Sequence, residues 1–198
     1  MVRGHGVPYA EGMESFLMPL LSGLGLSGAA GLNAYIPLLL VGLLERAGVT
    51  HLAQPFDLLA NPWVLLGVAV LGALDFVGDK IPGVDHALHV FGGVVNAGAG
   101  ALLFASQHGV AGHLDPALAA VLGLVVAGGV QATRTVLRPV STGATAGLGN
   151  PVVSSVEDGS SLLLSVLAVF APVVAVVLLV LLLVLAWRAL ASVRRRWA

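Results

Sequence analysis

Carboxylates and arginines stand inside stretches of this sequence that are otherwise almost wholly apolar. Asp75, Asp79, Arg134, Arg138, Glu157 and Asp158 make up that set. One such charge at the centre of a membrane helix costs about 2.5–3.5 kcal/mol on insertion scales, so each needs a reason to be there. A carboxylate at that depth can carry a proton or bind Na⁺, and an arginine can hold an anionic solute. Asp75 and Asp79 are four residues apart and share a helix face. Arg134 and Arg138 do the same, and Gln131 extends their stripe. Asn33 and Asn96 lie in further apolar stretches, placed to line a pathway or to bond across helices. Read structurally, the same charges form a salt-bridge layer that locks a bundle, with Asp79, Lys80 and Arg138 close enough to helix ends to snorkel. Asp85, His86 and His89 offer carboxylate and imidazole at helical spacing, a donor set suited to a transition metal. Asp85 also follows the turn Pro82-Gly83, where an acid ordinarily caps a helix. No cofactor is expected.

The elements that position these residues follow from the composition. Charged residues make up 10% of the chain, apolar ones 58%, and the mean hydropathy is +0.99. A soluble domain carries roughly 25% charged residues, so lipid is the main solvent here. A net charge of -1 gives no basic patch for nucleic acid. With no cysteine, disulfides and thiolate metal sites are excluded. About twenty residues of helix cross a hydrocarbon core of roughly 30 Å. On that ruler spans fall near 16–44, 62–81, 85–106, 116–138, 151–170 and 172–191.

The run from Phe16 to Leu44 is too long to be a signal-peptide core and is expected to stay in the membrane. It is also too long for a straight crossing. Its glycine-rich stretch SGLGLSGAAGLNA, Ser22 to Ala34, predicts a kink or break, and Ala127 to Gly129 is a counterpart later in the chain. Only Pro172 interrupts 152–186, leaving a tight hairpin and one kinked helix both open. Arg188, Arg194, Arg195 and Arg196 place the C-terminus in the cytoplasm, and six crossings place the N-terminus there too. Loops 45–60 and 107–115 then lie outside a plasma (inner) membrane.

Gly25 to Ala34 (GLSGAAGLNA) aligns with Gly123 to Ala132 (GLVVAGGVQA), and Asn61-Pro62 with Asn150-Pro151. Two halves of three spans, about 16–106 and 116–191, run in opposite directions in such a scheme, as in inverted-repeat transporters. The expected organisation is an all-α membrane protein of about six helices. It has a cytoplasmic segment 1–15, one transmembrane domain 16–191 and a basic tail 192–198. Small residues such as Gly93, Ala97 and Ala101 offer faces for close packing, within the bundle or between copies in a homo-oligomer.

The strings NPVVSSVED (Asn150 to Asp158), DKIPGVD (Asp79 to Asp85) and GLNAYIPLLLVGLL (Gly31 to Leu44) together resemble the domain of unknown function 4126 family of small multi-pass membrane proteins. The resemblance runs from about Leu21 to Arg196. It departs from the family pattern at Gln131 and Arg134, where it leads one to expect His and Lys. It implies a multi-pass membrane fold and brings no activity with it.

No nucleophile elbow, zincin helix or phosphate-binding Gly-rich loop occurs, so an ATP-driven pump or a known hydrolase has nothing to stand on. Ser154, Ser155, Ser160 and Ser161 surround the acids, and helix hydroxyls of this kind commonly bond back to their own backbone. Three functions are consistent with the residues. The first is a small secondary transporter or permease for an unknown solute or ion, with Asp75, Arg134, Glu157 and Asp158 as its site and Asn33, Asn96 and Gln131 as polar lining. The second is a non-transporting scaffold or assembly protein with a structural charged layer. The third is an intramembrane metal enzyme using Asp85, His86 and His89.

Overall fold

The computed structural model describes residues 8–78, 85–107, 110, 113–145 and 149–197. Among them are seven α-helices: α1 (Pro8–Leu32), α2 (Tyr35–Arg46), α3 (Pro62–Gly78), α4 (Asp85–Ala105), α5 (Pro116–Thr145), α6 (Asn150–Phe170) and α7 (Pro172–Trp197). A short 3₁₀ turn, Phe56–Ala60, precedes α3, and no strand occurs among the described residues. Four stretches are long and apolar enough to cross a membrane: Ser15–Leu32, Pro116–Leu137, Pro151–Phe170 and Pro172–Ser192. Pro62–Gly78 and Gly92–Ala105 are shorter apolar helices. Valines, leucines and tryptophans along α3 and α7 are exposed, Trp63 to 79% and Trp187 to 69%. Apolar surface of that extent belongs in lipid, and these helices fit a membrane protein.

Helix starts are written locally. Asn61 Oδ1 accepts the Trp63 N–H at 2.9 Å, and Asp115 Oδ1 accepts the Ala117 N–H at 2.8 Å. In both cases a proline follows the capping residue, at a position whose N–H would have no partner anyway. The end of α2 is equally explicit. Gly48 has φ +72°, its N–H donates to Glu45 O at 3.0 Å, and the Val49 N–H donates to Leu44 O at 2.9 Å. That pair of bonds is a Schellman stop, which needs a residue comfortable in the left-handed region.

The first apolar run is a hairpin. α1 descends from an upper end to Leu32, and α2 climbs back. Ser27 Oγ donates to Gly100 O, whereas the Ala34 N–H donates to Asn96 Oδ1, so α1 runs antiparallel to α4. The loop after α2 then returns to the level of α4's end, where the Ala53 N–H donates to Ser106 O at 2.8 Å. A β-carbon at Gly42 would strike Leu65, and one at Gly72 would strike Tyr35, so α3 descends beside α2. The apex at Asn33–Ala34 meets Asn96 near the middle of α4. Residues 16–44 are therefore not one crossing, and the start of α1 and the end of α7 lie at opposite ends of the bundle. This corrects the single-span reading of 16–44.

The break sits at Asn33 for a chemical reason. Pro37 has no N–H to give to the Asn33 carbonyl, and its ring would crowd that carbonyl in a continuous helix. The glycines upstream serve packing instead. A β-carbon at Gly25 would come within 2.8 Å of Ala168 Cβ, and one at Gly31 within 2.6 Å of the Ala127 carbonyl. Small residues thus let α1 lie against α4, α5, α6 and α7 at once.

Residues 127–129 are helical within α5, so the expected counterpart break is absent there. The inverted repeat is not confirmed either. The matched segments 25–34 and 123–132 both descend, as the Arg134 bond to Leu32 and the packing of Leu20 and Leu24 on the cluster that holds Ala119 indicate. Asn61-Pro62 opens a descending helix and Asn150-Pro151 an ascending one, so no single symmetry relates both matches. The segment 151–191 is a tight hairpin through Ala171. Gly25 faces Ala168 and Ala175 together, and Gly28 faces Leu179.

Candidate functional site: a polar layer around the broken helix

A broken helix at mid-bundle leaves backbone groups that lipid cannot satisfy, at a cost of several kcal/mol each. Side chains from three other helices reach in to meet them. Asn33 caps α2 itself, its Oδ1 accepting the N–H groups of Tyr35 at 2.9 Å and Ile36 at 3.3 Å. The Ala34 N–H goes to Asn96 Oδ1 at 3.2 Å. On the other strand of the break, Arg134 Nη1 donates to the Leu32 carbonyl, the last of α1. Ser161 Oγ lies 3.0 Å from Ala29 O and 3.3 Å from Asn33 O, the carbonyl that Pro37 leaves without an intrahelical donor.

These contacts join into one network. Asn96 Nδ2 donates to Gln131 Oε1 at 2.9 Å, and Arg134 Nη1 donates to the same oxygen at 3.1 Å. Arg134 Nη2 forms an ion pair with Glu157 Oε2 at 2.6 Å, with both side chains only 12% exposed. Asn33 Nδ2 donates to Asp158 Oδ1 at 2.8 Å. The geometry is electrostatically consistent. A cation faces the carbonyl end of α1, and an acid lies beside the amide end of α2, each where the helix dipole favours it. Arg134 Nε is buried with no partner among the described residues.

Six of the seven expected site residues thus meet: Asn33, Asn96, Gln131, Arg134, Glu157 and Asp158. Asp75 lies on α3, close enough to Tyr35 for electrostatic interaction, while the acid on Arg134 is Glu157. Asp79 and Lys80 lie outside the described residues, as do the side chains of Asp85, His86, His89 and Arg138. Among the described residues no group of three or more His, Asp or Glu is placed to hold a metal.

The serines around the acids do not all bond back to their own helix as expected. Ser161 bonds across to α1, whereas Ser155 and Ser165 do bond back, to Pro151 O and Ser161 O. Pro37, four residues after Asn33, is the signal that places the break and makes Ser161 necessary.

Asn33→Ala removes the cap of α2 and the amide that holds Asp158. Losing such a cap costs about 1–2 kcal/mol, and the melting temperature in detergent is expected to fall accordingly. Asn33→Asp keeps the capping oxygen but sets a second carboxylate against Asp158, so it should fall further. Equal melting of Asn33→Ala and wild type would remove Asn33 from the network.

The described cavity is elsewhere, at the upper end, and its floor is Leu26 and Val41. Ala30 and Ala34, both buried, fill the space below it down to the break.

Among curated proteins and among solved structures, nothing matches this chain. One family model does match, over residues 20–192, from the body of α1 to the last turns of α7. The chain therefore belongs to the family described as Domain of unknown function (DUF4126).

Proposed function

We propose that this protein is a small secondary transporter or permease whose working site is the layer formed by Asn33, Asn96, Gln131, Arg134, Glu157 and Asp158. The observation that carries the reading is a helix broken in mid-bundle directly against a nearly buried ion pair. Discontinuous helices that aim backbone termini at ionisable groups are how membrane carriers build ion sites. Glu157 is the residue that changes charge or partner in the cycle, and Arg134 is the group that an anionic solute or a protonated Glu157 releases. Asp75 on α3 is a second acid on the route to the lower end.

The lower end faces the cytoplasm of a plasma (inner) membrane, because Arg188 and Arg194–Arg196 lie on the last turns of α7 there. The start of α1 faces outward with the loop after α2. Single cysteines test this in intact cells. An impermeant maleimide should label Ser15→Cys and Gln54→Cys and leave Ser192→Cys unlabelled. Labelling of position 192, or of Gln54→Cys without Ser15→Cys, would overturn the arrangement.

Transport itself is tested in proteoliposomes with a trapped pH dye while anionic metabolites are supplied outside. Glu157→Gln keeps the shape and loses the charge, so it should stay folded and lose ion-coupled uptake. A scaffold is the second reading, favoured by the floor of the cavity at Leu26, which leaves packed apolar residues between it and the layer. A wild type that moves no ion or proton under any gradient, with a Glu157→Gln that unfolds, would favour the scaffold.

A further inference from the structure

The cavity at the upper end has a volume of about 260 Å³ and opens between the two arms of the α1–α2 hairpin. Its walls come from α1, α2, the loop after α2, the end of α4 and the α6–α7 turn. None of the residues that line it is Asp, Glu, Lys or Arg. Glu45, between Val41 and Val49 in sequence, is committed to the loop, accepting from the Thr50 hydroxyl at 3.2 Å and the Leu52 N–H at 3.0 Å. Of the lining residues only the exposed His51 could offer a charge, so a charged ligand held deeper in the cavity would lose its hydration without gaining a counter-ion, which an apolar wall makes costly.

Four polar side chains line it: Thr50, already bonded to Glu45, the exposed His51, and Ser22 and Gln107, which stand together on the α1 side. Ser22 is only 8% exposed, and its hydroxyl has no hydrogen-bond partner among the described residues. A hydroxyl at a cavity wall takes its hydrogen bond from whatever occupies the cavity. Gln107 stands next to it, against Gly23, with its amide nitrogen donating to Leu103 O at 3.1 Å. Its amide oxygen remains able to accept. Leu26 and Val41 form an apolar floor, and Val169 and Pro172 an apolar side.

We propose that this cavity is a binding site for a small uncharged amphiphile with an alcohol-type head. The head's oxygen accepts from Ser22, its proton goes to Gln107, and the hydrocarbon body packs on Leu26 and Val41. A cavity of about 150 Å³ takes a benzene ring, so this one suits a molecule of about ten non-hydrogen atoms. The site is separate from the charged layer and stands whether or not the protein transports.

The test uses full-length protein in lipid nanodiscs and a diazirine-bearing analogue of octan-1-ol, with cross-links mapped by mass spectrometry. Cross-links are expected on residues 18–26 and 49–52, and excess octan-1-ol should suppress them while octanoate at neutral pH should not. Ser22→Ala keeps the space and removes one bond, so competition by octan-1-ol should weaken by up to about tenfold. Ser22→Leu fills the cavity and should abolish the cross-links, and if it does not fold, Ser22→Ala alone decides. Cross-links spread along the lipid-facing side of α7, equal suppression by octanoate, or no effect of Ser22→Ala would each overturn the site.

Discussion

Arg134→Ala is expected to be among the most damaging single substitutions in this protein. The guanidinium holds three groups at once: the Leu32 carbonyl, Gln131 and Glu157. Removing it leaves a carboxylate that is 12% exposed without its counter-ion and a helix-terminal carbonyl without its donor. Breaking one partner of a buried pair costs about 3–5 kcal/mol in soluble proteins. The expected result is a large drop in detergent melting temperature. Adding Glu157→Gln should recover part of the loss, because the orphaned charge is then gone. Arg134→Lys should be intermediate, since one ammonium cannot reproduce the two-pronged reach to carbonyl and carboxylate. Strict additivity of the Ala and Gln substitutions would mean the pair does not act as a unit.

Gly123→Val is expected to be comparably severe, for a steric reason. α4 and α5 cross where Gly100 and Gly123 face one another, and a β-carbon at position 123 would collide with the Gly100 carbonyl and Phe104 Cβ. The obstructing carbonyl is backbone, so no rotamer change can relieve it. Overpacking in a core costs about 1–3 kcal/mol where side chains can yield, and more where they cannot. Gly128 and Gly129, one to two turns further along α5, have no neighbour within reach of an added β-carbon. Alanine there should be neutral or slightly stabilising, since glycine costs close to 1 kcal/mol in a helix interior. If both kinds of substitution shift melting equally, α4 and α5 do not cross at Gly100 and Gly123.

The polar layer was legible in the sequence because ionisable and amide residues in apolar runs have so few physical solutions. Depth and helix-face arithmetic brought Arg134, Glu157 and Asp158 together without coordinates, and Asn33 and Asn96 were visible as amides in lipid-length runs. The route of the first run was not legible from hydropathy. A hairpin and a long crossing contain the same apolar residues, and only the pairing of Asn33 with Pro37 tells them apart. The break falls at Asn33–Ala34, inside the glycine-rich stretch expected to hold it, but Gly25, Gly28 and Gly31 themselves mark close helix contacts. Asp75 was assigned by depth alone, and depth does not say which neighbour a helix has. α3 packs chiefly on α2, and that put Asp75 beside Tyr35.

The layer also sets an order of manufacture. The groups exposed by the break are the Leu32 carbonyl, the Ala34 N–H and the Asn33 carbonyl. Their partners, Arg134, Asn96 and Ser161, are all synthesised later. α2, twelve residues long, is too short to cross a bilayer by itself. α1 is long enough to enter the bilayer alone, but until α4, α5 and α6 have emerged from the ribosome the three groups at its break lack the partners the finished bundle gives them. The part of this protein made first is the part that is finished last.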